Sequence, residues 1–353
     1  MPPGFPTFVG RVPKPSGGFL RGVLALFVLI LLLDLVLLNI LILSAIGAAA
    51  TGAQQTRQVT VIKGDPTQTI AAIPVSGLID DSNAQQFDQF LTAAQQDANV
   101  KALVLEIDTP GGSATASDAM YHRVQQFREA EKAAGRTVPI IVSMGGMATS
   151  GGYYLACSAD YIFAQPTTLT ANIGVLFPRF NVSSFINQHG VTEDTIVATG
   201  CDYKNLGSMF QPENPKATAY LQGLVDQTFE QFKKVVTTGR RGKLPEDTSN
   251  IFNGRVYIAA DALKLGLVDQ IGYADEAYDY AEKTLNLSDM RVVRYKPPSQ
   301  LAQLLADDDS LSNLVGREAA SLLGGGKAST PNIDPTKLSD LLAPRPMYLW
   351  RQN

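Results

Sequence analysis

The sequence predicts an α/β protein with a mainly parallel sheet, preceded by one membrane-spanning helix. Two patterns carry that reading. From residue 69 onward, short apolar runs rich in β-branched residues alternate with stretches of helical period, which is how βαβ units read in a sequence. Upstream, residues 23–43 (VLALFVLILLLDLVLLNILIL) have Asp34 and Asn39 as their only polar side chains. The chain has 353 residues, 45% of them hydrophobic and 18% charged, enough for a sizeable core and too apolar for a disordered or collagen-like chain.

Taken in order, residues 1–21 read as a cytoplasmic N-terminal segment and 22–46 as the transmembrane anchor. At about 1.5 Å per residue such a helix spans about 30 Å, the thickness of the hydrocarbon layer. A cleaved signal peptide is the rival reading, because Ala48-Ala49-Ala50 offers small residues near a cleavage point. The apolar run exceeds the roughly 7–15 residues of a signal-peptide core, which favours the anchor. Asp34 costs about 2.5–3.5 kcal/mol at mid-bilayer, which the surrounding leucines offset, and with Asn39 it offers a contact for association within the bilayer. Arg11, Lys14 and Arg21 precede the segment with no acid among them. The positive-inside rule therefore puts the N-terminus in the cytoplasm and the rest of the chain outside the cell membrane.

Residues 47–66, polar and Gln/Thr-rich from 51 onward, read as a stalk. The folded domain is expected over 67–298. Its predicted elements are a strand at 69–79, a helix near 83–97, a strand at 101–108 ending in the turn Thr109-Pro110-Gly111-Gly112, and a helix over 115–134. A strand at 139–144, a short helix after Ser150, a strand at 161–165 and helices over 214–238 and 259–265 follow. From 299 to 353 the Asp307-Asp308-Asp309 run, Gly324-Gly325-Gly326 and scattered prolines read as a weakly ordered C-terminal extension. Its Met347-Tyr348-Leu349-Trp350 is apolar enough to dock on the domain.

Formal net charge is −4 without a Lys/Arg cluster, which argues against nucleic-acid binding. Cys157 and Cys201 leave one disulfide open but make neither a disulfide framework nor a Cys-based zinc site. His122 and His189 lack acidic or His partners at ligand spacing, so no metal or other cofactor is expected.

Three elements carry chemistry. Ser150 lies in Ala148-Thr149-Ser150-Gly151-Gly152, between a strand and a short helix whose free N–H groups favour developing negative charge. Alone, Ser150 reads first as that helix's N-cap, as Ser often is. Asp108-Thr109-Pro110-Gly111-Gly112-Ser113 ends an apolar strand, where open α/β sheets place ligands and where glycine lets backbone N–H groups approach a reacting carbonyl. Asp202-Tyr203-Lys204-Asn205 is the third. With His so scarce, a Ser nucleophile needs another base, and Lys is the usual substitute. To act near neutral pH its amine must drop about 3 units from about 10.4, roughly 4 kcal/mol, obtainable by desolvation, whereas a lone Lys in a polar loop is by default a solvated surface charge.

Together these elements resemble signal peptide peptidase A, a family of membrane-anchored Ser-Lys proteases. The resemblance covers roughly residues 66–290. It rests on LEIDTPGGSATAS, MATSGGYYLACSADYIFAQ, DYKNLGS and GRVYIAADALKLGLVDQIG (254–272). It implies a fold of repeated ββα units shared with Clp protease and the crotonases. It implies Ser150 as nucleophile, Lys204 as general base, and the Gly112 and Gly151 N–H groups as oxyanion hole. Where the family usually reads Thr-Gly-Ser-Ile-Gly-Val, this chain has Thr170-Ala171-Asn172-Ile173-Gly174-Val175. The family's Ser orients the Lys amine, and the Asn172 carbonyl offers Lys204 an acceptor in its place.

The implied activity is a serine endopeptidase acting on cleaved signal peptides and other extended apolar or unfolded segments beside the membrane lipid. A ring-like homo-oligomer is implied as well, with Ser150 and Lys204 meeting within or across protomers. Two other readings stand beside it: a catalytically silent scaffold of the same fold that binds membrane proteins, and an acyl-CoA enzyme.

Overall fold

The computed structural model describes residues 23–24, 26–35, 37, 56–297 and 347–349, which fall into two compact units. In the first, residues 26–35 form helix α1, with Leu26, Phe27, Ile30 and Leu33 among its exposed side chains. No helix among the described residues is long and apolar enough to cross a membrane. The remainder of the anchor expected at 22–46, the segment expected at 1–21, and most of the extension expected after 299 lie outside the described residues.

The second unit is built on a nine-stranded sheet. Its strands are β1 (Arg57–Ile62), β2 (Asp65–Ser76), β3 (Val100–Thr109), β5 (Ile140–Thr149), β6 (Tyr161–Ala164), β7 (Leu169–Ala171), β8 (Val256–Ile258), β9 (Gln270–Ile271) and β10 (Met290–Lys296). The order is β1-β10-β2-β3-β5-β6-β9, with β7 paired to β5 and β8 to β7. Every pairing is parallel except β1 with β10 and β7 with β8. Strand β4 (Gly111–Ser113) stands apart and pairs antiparallel with β11 (Met347–Leu349).

Both faces of the sheet are covered, and the period-2 alternation of its strands shows it. Ala71, Ile73 and Val75 of β2, Leu103, Leu105 and Ile107 of β3 and Val142 of β5 face one core. Their alternates Ile70, Ala72, Ala102, Val104 and Ile141 face the other. The first core packs against α2 (Asp81–Gln96), α3 (Ala114–Ala133), α4 (Gly151–Ala156) and α6 (Pro215–Gly239). The second packs against α8 (Ala274–Leu285). Each fully buried Leu or Ile contributes about 1.5–3 kcal/mol, so these continuous apolar strands hold the sheet between its layers. Two small helices, α5 (Ser183–Gln188) and α7 (Ala259–Lys264), complete the unit.

The predicted strands and helices all appear, with ends shifted by a few residues. The stalk expected over 47–66 needs correction. Arg57–Ile62 is strand β1, and β2 already starts at Asp65. Val59, Thr60, Val61 and Ile62 suit a strand, and β10 gives them an edge to pair with. The Pro110-Gly111-Gly112 turn contains β4, and β7 to β10 with α5 and α8 were not anticipated at all.

Candidate active site

Strand β5 divides its partners along its length. Ile141–Met144 pair with β6, whereas Met147–Thr149 pair with β7. Where it diverges, the Met147 N–H donates to Asp108 Oδ1 at 3.0 Å. The diverted upper half ends at Ser150, whose backbone has φ 54° and ψ −112°. Such a conformation costs a non-glycine residue about 1–3 kcal/mol and persists only where the surroundings impose it. Here the Ser150 N–H donates to the Ala171 carbonyl at 2.7 Å, and its own carbonyl accepts from Tyr154 N–H at 2.8 Å.

Ser150 occupies the N-cap position of α4 without its side chain capping the helix. The residue is 1% exposed, and among the described residues its Oγ has no hydrogen-bond partner. A buried hydroxyl left unpaired costs about 1–3 kcal/mol. Its oxygen is thus held ready for something other than the helix end.

Gly151 and Gly112 meet beside it. A Cβ on Gly151 would lie 3.4 Å from the Gly112 nitrogen and 2.3 Å from Ser117 Oγ. One on Gly112 would lie 2.0 Å from the Ile79 carbonyl oxygen. Only glycine allows these approaches, so two predicted oxyanion donors and the predicted nucleophile come together in one place. Ser117 is itself fixed by donating to the Ser113 carbonyl at 2.8 Å, while Ser113 Oγ caps α3 by accepting from Ala116 N–H.

Asn172 follows Ala171, the residue that anchors the Ser150 N–H. It too has a positive φ, 54°, a region Asn tolerates better than most residues. Its Nδ2 donates to the Gly254 carbonyl at 2.6 Å and its N–H to the Arg255 carbonyl at 2.9 Å. Among the described residues its Oδ1 has no hydrogen-bond partner.

Lys204 is not joined to this group within the chain. It is exposed in the loop between α5 and α6, and among the described residues its amine has neither a hydrogen bond nor an ion pair. That loop exposes Ile196, Tyr203, Met209 and Phe210 as well, and Phe180 and Phe185, before and within α5, are also exposed.

His122 and His189 are exposed, and His189 Nδ1 lies 2.8 Å from the Phe185 carbonyl. Both cysteines are free thiols. Cys157 sits behind α4, where burial pushes its thiol up to about 12. Among the described residues no three His, Cys, Asp or Glu side chains gather in a way that could hold a metal ion.

Two positioning residues had escaped the sequence reading. Asp108 was visible only as part of a turn, because its partner Met147 lies 39 residues away. Ser117, which sets the space around Gly151, follows Ser113 by one helical turn and carries no signal beyond that spacing.

The chain is similar to known proteases over this region. A family model described as Peptidase family S49 matches residues 132–288, and one described as Clp protease matches residues 66–170. A putative signal peptide peptidase SppA of Enterococcus faecium is 30% identical over 263 residues, covering 69% of this chain and 72% of that protein. Protease 4 of Haemophilus influenzae is 33% identical over 226 residues, which take in 62% of this chain and 35% of that longer protein. A solved structure of a membrane-bound stomatin-specific protease aligns with 69% of this chain and 98% of its own, at 18% identity and a TM-score of 0.40.

Proposed function

This chain belongs to peptidase family S49, and from that premise we propose that it is a membrane-anchored serine endopeptidase working through Ser150 and Lys204. Its substrates are cleaved signal peptides and other extended apolar segments near the membrane. The observation that carries the reading is Ser150 itself. Its buried hydroxyl has no partner among the described residues, does not cap its helix, and sits where the Gly112 and Gly151 backbones converge.

In the proposed reaction Ser150 Oγ attacks the substrate carbonyl while Lys204 takes its proton. The Gly112 and Gly151 N–H groups hold the oxyanion, a contribution of a few kcal/mol per donor. The proton passes to the departing amine, and water then hydrolyses the acyl-enzyme.

Lys204 lies in an exposed loop, apart from Ser150, Gly112 and Gly151. The apolar side chains exposed over residues 180–210 support a ring-like homo-oligomer in which a neighbouring copy covers this segment. Lys204 then reaches the neighbour's Ser150, with the Asn172 Oδ1 as its acceptor. The 22–46 segment anchors the assembly, with residues 1–21 cytoplasmic and the catalytic unit on the other side.

The test is digestion of an unfolded protein by detergent-solubilised oligomer, comparing wild type, Ser150→Ala and Lys204→Ala, with labelling by a serine-directed probe. Loss of digestion in both variants at unchanged oligomer size is expected, and labelling lost in Ser150→Ala. A Lys204→Ala variant that cleaves like wild type removes Lys204 as the base. A well-assembled wild type that neither digests nor labels removes the protease reading altogether.

A further inference from the structure

Thr109 ends β3 fully buried, and the two branches of its side chain go to different elements. Its hydroxyl donates to the Gly77 carbonyl, in the turn after β2, and accepts from the Gly111 N–H at 3.1 Å. Its methyl group packs on the start of α4, where a Cβ on Gly152 would lie 2.6 Å from it. Gly111 immediately precedes Gly112, and Gly152 immediately follows Gly151. One side chain thus touches the neighbour of each proposed oxyanion donor.

Those donors belong to separate elements, β4 and the beginning of α4. Strand β4 is bound to Ile79, whose N–H donates to the Gly111 carbonyl and whose carbonyl accepts from Ser113 N–H, each at 2.8 Å. Thr109 ties both sides of that contact to the end of β3, through Gly111 on one and Gly77 on the other. It also stands opposite Ala148 in β5, two residues before Ser150. A β-branched side chain is stiff at χ1, so its hydroxyl and methyl keep a fixed spread. An oxyanion hole stabilises charge because its donors are fixed before that charge develops. We infer that Thr109 is a positioning residue of the reaction, setting the gap between the Gly112 and Gly151 N–H groups. The inference rests on the proposed Ser150 chemistry, and Thr109 acts through its neighbours rather than on the substrate.

The experiment measures digestion of fluorescently labelled, unfolded casein by the detergent-solubilised full-length oligomer, and its inhibition by a short leucine-rich peptide aldehyde. The aldehyde adds to a serine hydroxyl and leaves its oxygen where the oxyanion forms, so its affinity reports on the hole as a transition-state analogue does. Wild type is compared with Thr109→Val, which keeps the shape and removes the hydroxyl. Two further variants test the methyl contact: Gly152→Ala alone, and Gly152→Ala with Thr109→Ser, which moves the methyl from one residue to the other.

Thr109→Val is expected to lower kcat about tenfold with KM little changed and to weaken the aldehyde by the same factor, part of what losing a whole donor costs. Gly152→Ala is expected to lower kcat by collision with the Thr109 methyl, and the added Thr109→Ser to restore part of that loss. A Thr109→Val variant with wild-type kcat, or with a lower kcat but unweakened aldehyde, overturns the inference and leaves the protease reading intact. If the valine variant does not assemble, the methyl exchange decides, and a double variant no more active than Gly152→Ala overturns it. A wild type that neither digests casein nor binds the aldehyde overturns both readings.

Discussion

Gly151 and Ser117 are packed so closely that a methyl group on the first would lie 2.3 Å from the hydroxyl oxygen of the second. Ser117 cannot simply swing away, because its hydroxyl donates to the carbonyl of Ser113, the N-cap of α3. Gly151→Ala therefore pushes α4 and α3 apart where the Gly112 and Gly151 backbones meet. Activity on an unfolded protein is expected to fall about 10²-fold, the scale of losing one oxyanion donor. Adding Ser117→Ala removes the obstructing oxygen and is expected to restore part of that loss. A double variant no better than Gly151→Ala alone would show that the contact does not limit the site.

Ser150 holds a backbone conformation suited to glycine. Ser150→Gly and Ser150→Ala should both be inactive, but only the first relieves the strain. Urea unfolding is expected to find Ser150→Gly more stable than Ser150→Ala by about 1 kcal/mol, the low end of such strain, since glycine also gains freedom in the unfolded chain. Equal stabilities would mean that the observed φ carries no cost.

Asn172 has two separable duties. Its Nδ2 and N–H tie the loop to Gly254 and Arg255, and its Oδ1 is the proposed acceptor for Lys204. Asn172→Ser keeps a side-chain acceptor but is less suited to positive φ, so about 1 kcal/mol of stability should be lost while activity is kept. Asn172→Ala loses the acceptor too. Its kcat is expected to fall about tenfold with KM little changed, as befits a positioning group, a change worth about 1.4 kcal/mol. Equal activities for the two variants would remove Oδ1 from the mechanism.

Arg240, 1% exposed, is paired with Asp269 through two hydrogen bonds of 2.8 and 2.9 Å, and Lys243 adds a third of 2.7 Å. Burial by itself raises the Asp269 carboxyl. The hydrogen bonds from Arg240 and Lys243, with the Arg240 charge, outweigh it and hold the carboxyl below the usual range. A lowered folded-state pKa gives stability that is present above the unfolded value, about 3.9, and is lost as pH falls through the lowered one. Asp269→Asn leaves the buried guanidinium without its counter-charge and is expected to cost about 3–5 kcal/mol near neutral pH. The difference from wild type should begin to shrink below about pH 4, where the unfolded carboxyl takes up its proton, and go on shrinking until pH has fallen through the lowered folded-state value. A gap that stays constant into acid would assign the loss to packing.

Much of the site was legible because its signals are local. A serine between an apolar strand and a short helix, and glycines ending the strand before it, are read within a few residues of one another. Asp108 shows the limit. Its place in a strand-end turn was visible, yet its use depends on a strand that begins 32 residues later and bends where Asp108 accepts from Met147.

What the sequence by itself determined is the alternation of strands and helices, the two-sided burial of the central strands, and the chemistry available at Ser150, Gly112, Gly151 and Lys204. These follow from period, propensity and residue type, which every stretch of chain carries within itself. Only the tertiary structure decided that residues 57–62 join the sheet rather than form a stalk, and that Asn172 spends its amide on Gly254. It alone set Tyr348 opposite Gly112 while leaving the Lys204 amine without a partner among the described residues. Pairings across tens or hundreds of residues are chosen by which strand edges and carbonyls remain unfilled once the core has packed, and no local pattern encodes that.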